Sequence, residues 1–355
     1  MVDKYDILIK TSLSFERIVA SRIMEIDDEA KVFPSPKGFK GLVLVKAGKL
    51  DREELYKRIL EEVVEADKVI LVDAIASAML MEIAEVAASI AREKISGDET
   101  FAVRTTRRGR HSFTSIDVNV VVGDAVRKAT GASVNLRYPD KIVLVEIISD
   151  IALISVVPGS FEWHKYAPGK KPLQKLFRRI AVVQMPYLGP RDSIMVMGRR
   201  IGREVQNFEV GELVISPTGI VDAGQMMLFI RSVLEGINSR YEVQRKSYPY
   251  KPYKVPVYLM DLHQLVRDRS SEPIIVFEPE GKYIGDVKDE LAKFVLDSKK
   301  RVNLLFGSRE GIPLGIYRFA DLVVDIAPGI TLSTDYAAAA GLIALATVLY
   351  NLFGE

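Results

Sequence analysis

The sequence predicts an α+β N-terminal half followed by an α/β domain built on a parallel sheet. Three observations carry that division. Up to about residue 158, short strands and amphipathic helices come in mixed order and include two adjacent apolar strands suited to a hairpin. From Ile180 onward strand and helix alternate regularly, as helical crossovers between parallel strands require. The last strands run straight into loops rich in Gly and Pro, the layout of a ligand site at the carboxyl ends of parallel strands.

With 355 residues, 48% hydrophobic and 27% charged, the chain has the size of two or three domains and the composition of an ordinary globular protein. Its first residues, MVDKYDILIK, lack the blocks of a signal peptide. The stretch Tyr336 to Phe353 comes closest to a membrane span, but it is Ala-rich and follows Asp335 directly. It reads as a buried core helix, and no membrane partner is expected. The absence of Cys excludes disulfides and thiolate metal sites and points to a reducing, cytoplasmic setting. With only three scattered His, no metal is expected either. The net charge of +2 says little; clustering of the basic residues matters more to a polyanionic partner.

Residues 1–75 read as strand Tyr5 to Thr11, helix Ser12 to Ile26, strand Gly41 to Lys46, helix Asp51 to Val64 and strand Lys68 to Val72. Asp51 with Glu54 is a plausible capping pair, and the whole suits a ferredoxin-like module. Next come a long helix from Ala76 to Lys94, a strand from Thr100 to Thr106 and a helix from Ser115 to Ala129 capped by Ser115. Lys141 to Ile147 and Ile151 to Val157 form the hairpin. Arg104, Arg107, Arg108 and Arg110 crowd the end of the Thr100 strand beside Gly109. Such a cluster is either a concentrated phosphate-binding patch or a solvated loop.

Several spaced elements here agree with one family: Phe101-Ala102-Val103-Arg104, Arg107-Arg108-Gly109, Phe113-Thr114-Ser115, Val122-Gly123-Asp124, Val134-Asn135-Leu136 with Pro139-Asp140, and Val145-Glu146-Ile147. Over residues 76–158 they resemble a THUMP domain, and the preceding residues fit the ferredoxin-like module that usually accompanies one. The resemblance implies RNA binding, through a grip on the 3′ end of tRNA, and makes RNA contact the expected role of the four arginines. Residues 159–178, with Pro158-Gly159 and Pro168-Gly169, read as a linker. In it Trp163 suits either base stacking or packing, and His164 a surface or packing role.

In residues 179–355 the expected strands are Ile180 to Gln184, Glu212 to Ser216, Val255 to Leu259, Ile274 to Phe277, Val302 to Phe306 and Leu322 to Ile326. Helices are expected near Ser193 to Phe208, Gln225 to Ser239, Asp286 to Lys299 and Thr334 to Phe353. No Gly-x-Gly-x-x-Gly follows an early strand and no Gly-Lys-Ser/Thr occurs, so Rossmann and P-loop sites are unsupported. His263 falls in a helix or turn, which argues against a Ser–His–Asp hydrolase. Three loops leaving late strands remain: Phe277 to Gly281, Gly307 to Gly311 and Ala327 to Ser333. Each alone could be an ordinary tight turn.

Taken together, these loops and the helix starting at Ser333-Thr334-Asp335 are similar to the SPOUT class of S-adenosylmethionine-dependent RNA methyltransferases. Ile180-Ala181-Val182-Val183, Gly198 to Glu204, Phe208 and Gly211 to Ile215 resemble a SPOUT group shared by archaea and eukaryotes. The resemblance implies a C-terminal trefoil knot, a homodimer through the knot region, and S-adenosylmethionine held by Glu278, Pro279, Gly281, Gly307, Arg309, Gly311, Ile326, Pro328, Gly329 and Ile330. Glycines would let backbone groups approach the cofactor, prolines would fix the turns, and Ile326 and Ile330 would flank the adenine. Glu310 is a candidate to orient the acceptor or contact the cofactor. Arg191 and Asp192 follow the first strand, where SPOUT enzymes place target-handling residues; each of the three is alternatively a structural ion-pair partner. Arg309 could hold a phosphate or, like those three, be a structural ion-pair partner. The run Arg245 to Lys254, with Tyr250 and Lys251, interleaves charge and aromatics as an RNA surface would, or packs on its own domain or a dimer partner.

The expected function is an S-adenosylmethionine-dependent RNA methyltransferase acting on tRNA captured by the THUMP half. The alternatives are an RNA-binding adaptor with a catalytically inactive SPOUT domain and a small-molecule nucleotide enzyme with an incidental basic patch. The target nucleotide and the acceptor, a base atom or the ribose 2′-hydroxyl, stay open.

Overall fold

In the computed structural model, which describes residues 4–163 and 169–352, the chain divides into two units, Met1–Gly169 and Lys170–Glu355. The first unit opens with β1 (Ile7–Thr11), α1 (Glu16–Ile26), β2 (Lys31–Pro34), β3 (Leu42–Lys46), α2 (Arg52–Glu62) and β4 (Ala66–Leu71). These strands make an antiparallel sheet in the order β2-β3-β1-β4, the βαββαβ arrangement of a ferredoxin-like module. Asp51 does cap α2, but by accepting from the backbone N–H of Glu53. Strand β2 was not legible in the sequence: it is four residues long and lies at the sheet edge.

A second sheet follows, from β5 (Ala74–Ser77), α3 (Leu80–Lys94), β6 (Thr100–Arg108), α4 (Ser115–Thr130), β7 (Ser133–Val134), β8 (Lys141–Ile148) and β9 (Ile151–Pro158), in the order β5-β9-β8-β6-β7. The expected helix from Ala76 is corrected here. Residues 74–77 pair antiparallel with Ile151–Ile154, a tertiary contact that outweighs the helical propensity of Ala, and α3 starts only at Leu80. The cap of α4 is also corrected. Thr114, not Ser115, accepts from the N–H of Asp117 while the Asp117 carboxylate accepts from the N–H of Thr114, a capping box. Leu8, Leu44 and Ile70 of the first sheet bury against Ile142, Leu144 and Leu153 of the second, so the two sheets share a core and carry their helices on their other faces.

The second unit contains α5 (Gln174–Phe177), β10 (Ile180–Gln184), α6 (Arg191–Phe208), β11 (Glu212–Ile215), α7 (Ala223–Ser247), β12 (Val257–Leu259), α8 (Leu262–Asp268), β13 (Ile274–Tyr283), α9 (Lys288–Leu296), β14 (Val302–Phe306), α10 (Leu314–Tyr317), β15 (Leu322–Asp325) and α11 (Thr334–Leu352). Its six strands are all parallel, in the order β12-β11-β10-β14-β13-β15. Strands β10 and β14 occupy the residues expected of them. Helix α7 is longer than its pattern suggested, because Asp222 caps it two residues early and it continues to Ser247. Helices α6, α7, α9 and α11 cover one face, and α8 and α10 the other. Helices α6 and α7 pack closely through glycine: a Cβ on Gly202 would stand 2.1 Å from the carbonyl oxygen of Val233. Helix α11 is long and apolar enough to suit a membrane span, yet Ala338, Leu342, Leu345 and Leu349 are buried in the core of this unit.

Two departures position the site. Strand β13 does not stop at Phe277. Phe277 and Lys282 both pair with Val324, so the four residues between them are extruded from the ladder as a loop that re-enters the sheet. On the other side, Gly341 of α11 lies against Phe306, where a Cβ would be 2.6 Å from the ring, and Phe306 stacks on Phe277 at 5.0 Å.

Candidate functional site

The extruded loop, the loop after β14 and the loop after β15 converge on one cavity of about 420 Å³ at the carboxyl ends of their strands. Glu278 holds the first two together. Its Oε1 accepts from the backbone N–H of Ile312 at 2.8 Å, and a Cβ on Gly307 would lie 2.1 Å from that oxygen and 2.9 Å from the Cα of Gly311. Only glycine fits at 307, and the positive φ of 70° at Gly311 also favours glycine. Burial pushes the Glu278 carboxyl up; the Ile312 N–H opposes the shift and the charge of Glu280 adds to it. Tyr317 donates to Glu280 Oε2 at 3.3 Å, and burial with the charges of Glu278 and Glu280 pushes its hydroxyl well above the usual phenol range.

The central loop is braced from β10 as well. The buried Gln184 amide donates to the carbonyls of Met185 (3.1 Å) and Gly307 (3.0 Å), tying the end of β10 to the start of that loop. The Arg309 guanidinium stands 5.8 Å from the centre of the Tyr187 ring, over the loop that leads into α6. At the start of α11, the buried Asp335 accepts from Arg200 (2.9 Å) and Ser333 (2.8 Å). Burial disfavours its charge, but those two hydrogen bonds outweigh it and hold the carboxyl below the usual range.

Of the expected cofactor residues, Glu278, Pro279, Gly307, Arg309, Gly311, Ile326 and Ile330 line the cavity, and Glu310 joins them. Gly281, Pro328 and Gly329 do not line it. Gly281 lets the re-entering strand approach β15, with a Cβ there 2.5 Å from the N of Val324, while Pro328 and Gly329 are exposed. Arg191 and Asp192 are the exposed first two residues of α6 and are also absent from the cavity wall. Asp325, Thr334 and Ala337 line it without having been singled out. The signal for Asp325 was a carboxylate closing an apolar strand.

The arginines of the first unit are more tied down than a solvated loop would leave them, because β6 runs through Arg108. Arg104 donates to Glu162 (3.0 Å) and to the carbonyl of Leu136 (2.8 Å). Arg108 donates to the buried Glu146 (2.8 Å), which Lys10 also contacts. Arg107 meets His111 Nδ1 at 3.2 Å, and Arg110 is exposed. In the second unit Tyr250 donates to Glu209 (2.8 Å) and Tyr253 to the carbonyl of Gly211 (2.9 Å), so the tyrosine-rich run packs on its own domain and leaves Lys251 exposed. Trp163 is 97% exposed, and His164 lies outside the described residues.

The profile of the THUMP domain matches residues 77–157, and that described as AF2226-like SPOUT RNA Methylase fused to THUMP matches residues 174–353. The chain belongs to this SPOUT–THUMP methylase family. This SPOUT–THUMP protein is 41% identical over 340 residues to an uncharacterized protein of Methanocaldococcus jannaschii, covering 95% of this chain and 92% of that one. A tRNA sulfurtransferase of Thermoplasma acidophilum is 35% identical over 122 residues, 34% of this chain and 23% of its own length. The tRNA (guanine(6)-N2)-methyltransferase of M. jannaschii is 41% identical over 70 residues, 18% of each chain. Among solved structures, the SpoU methyltransferase AviRb of Streptomyces viridochromogenes, in complex with AdoMet, aligns at 13% identity with a TM-score of 0.34, over 76% of this chain and 89% of that one.

Proposed function

We propose that this protein is an S-adenosylmethionine-dependent methyltransferase of tRNA. In this reading residues 1–75 and 76–158 capture the RNA, and residues 179–355 bind the cofactor and direct the transfer. One observation carries it: in a chain of an RNA methylase family, three loops close on a cavity whose central wall admits no side chain at Gly307. A cavity of about 420 Å³ with a glycine cradle suits a ligand held through backbone groups. The backbone around Gly307 and Gly311, with Ile326 and Ile330, would hold S-adenosylmethionine. Bound there, the cofactor supplies a methyl group on a sulfonium.

The chain's own contribution is alignment and, for an acceptor that carries a proton, a base. Glu278 fixes the central loop against the extruded one and so positions the wall. Glu310, exposed on that wall, is the candidate to orient the acceptor or take its proton. Arg309, held over Tyr187, is available to an RNA phosphate. A trefoil knot formed by the segment from β14 to α11 belongs to the same reading. So does a homodimer through this region, covering exposed apolar side chains such as Ile343 and Tyr350; light scattering at the monomer mass would remove it.

The adaptor reading has one observation in its favour: of the three residues assigned to catalysis, Glu310 lines the cavity but Arg191 and Asp192 do not. Incubation with labelled S-adenosylmethionine and unmodified tRNA, followed by mass spectrometry of the nucleosides, is expected to give one methylated product. Cofactor binding without any product would favour the adaptor, and no binding at millimolar cofactor would remove the enzyme.

A further inference from the structure

The six-stranded sheet has a second cavity at its opposite end. About 360 Å³ in volume, it lies where β10, β11 and β14 begin and is lined by Arg178, Arg179, Lys299, Lys300 and Arg301 together with Tyr253 and Tyr258. Five-residue strands at about 3.3 Å per residue put it roughly 15 Å from the carboxyl ends of the same strands.

Part of this charge is structural. Arg178 pairs with Glu209 at 2.8 Å and lies over the Tyr253 ring. Arg269 and Arg301 share Glu212, at 2.7 and 3.3 Å. Arg179 donates to the carbonyls of Val295 and Ser298 at the end of α9, and the Lys300 ammonium to the carbonyl of Ser271, as cations do at helix and turn ends. Those contacts do not use up the charge. Five cations line the wall with one carboxylate, Glu212, and ion pairs bring Glu209 and Arg269 to its edge. Lys299 and Lys300 are exposed, and among the described residues neither has a carboxylate within ion-pair distance. Beside them Tyr258, on the edge strand β12, is 53% exposed.

Fixed guanidinium groups, two exposed ammonium groups without a carboxylate partner among the described residues and an exposed aromatic ring are the elements that track a nucleic-acid backbone and stack a base. We propose that this amino-end cavity binds phosphodiester groups of the substrate RNA, with Lys299 and Lys300 on phosphates and Tyr258 against a base. The proposal rests on the RNA-methylating reading. It assigns the second unit an RNA contact of its own, on the end of the sheet away from the methyl-transfer cavity.

The test measures fluorescent tRNA binding across a salt series for the full chain, Lys299→Ala and Lys299→Ala/Lys300→Ala, with S-adenosylmethionine titration calorimetry on each. The double variant is expected to bind tRNA about tenfold more weakly near 0.1 M salt. Its slope of log affinity against log salt should be shallower by about two, one per lysine, with cofactor affinity unchanged. Lys299→Ala, which removes a side chain without a hydrogen-bond partner among the described residues, should give about half that change in slope. Wild-type affinity and slope in the double variant, with the wild type binding tRNA, would overturn the cavity assignment and leave the methyltransferase reading standing. A wild type that binds no tRNA would overturn both. Pyrophosphate binding lost in the double variant while tRNA affinity stays intact would identify a small phosphorylated ligand instead and would also overturn the assignment.

Discussion

The two ends of the C-terminal sheet are built on opposite principles. At the carboxyl end the wall is made of missing side chains: Gly307 and Gly311 let one loop close tightly around the Glu278 carboxyl group of its neighbour. At the amino end the wall is made of long side chains, with arginines held by Glu209, Glu212 and backbone carbonyls and lysines reaching past them. The first construction tolerates almost no added volume and depends little on salt. The second would tolerate substitution, but its attraction for an anion would change with every charge and with ionic strength. One sheet can thus present a shaped pocket and an electrostatic surface without either compromising the other.

The sharpest break is Gly307→Ala. Its methyl group would meet both the Glu278 carboxyl and the Gly311 backbone, so overpacking of about 1–3 kcal/mol is expected along with at least a tenfold loss of S-adenosylmethionine affinity. Calorimetry showing wild-type affinity would mean that the glycine cradle does not form the cofactor wall. Next in size is Arg200→Ala, which strips the buried Asp335 of its guanidinium partner. A loss of about 1–2 kcal/mol at pH 7 is expected, discounted for the exposure of the arginine. Because the Asp335 carboxyl is held below its unfolded value, that stability is present above the ordinary carboxylate range and is lost as pH falls through the depressed value. Melting curves of variant and wild type should therefore converge below about pH 4.

Glu278→Gln should act in the other direction. Burial raises this carboxyl, so its ionised form is a liability that grows as pH rises from the unfolded value through the folded one. The variant keeps an acceptor for the Ile312 N–H and should melt slightly higher than wild type at pH 7, with no difference near pH 4; a lower melting point at pH 7 would contradict the burial argument. The smallest effect is expected at the amino end. Tyr258→Ala should leave melting unchanged and cost about 1 kcal/mol of tRNA affinity, the low end for one stacked base.

How much of this was legible depends on range. Strands β10 and β14 were readable because each is a short apolar run with clear stops, and the three loops because Gly and Pro punctuate them. Strand β5 was not, since Ala74–Ser77 has no intrinsic strand signal and is held by β9, some seventy-five residues on. The arginine cluster was visible, but its neutralisers were not. Glu146 and Glu162 lie 38 and 58 positions away from Arg108 and Arg104, and nothing local marks them as partners. The amino-end cavity is a stronger case of the same limit. Its cations come from segments more than a hundred residues apart, and only the parallel register of β10 with β14 brings Arg179 beside Arg301.

The contact between Gly341 and Phe306 gives the closing helix a mechanical hold on the pocket. Phe306 stacks on Phe277, and the next residue after each is a pocket residue, Gly307 and Glu278. A methyl group added at 341 would press on this aromatic stack rather than on any ligand, and both loops would be displaced together. A genetic screen for conditional loss of function should therefore find temperature-sensitive alleles at this buried helix position, with activity returning on cooling as the stack relaxes back into register.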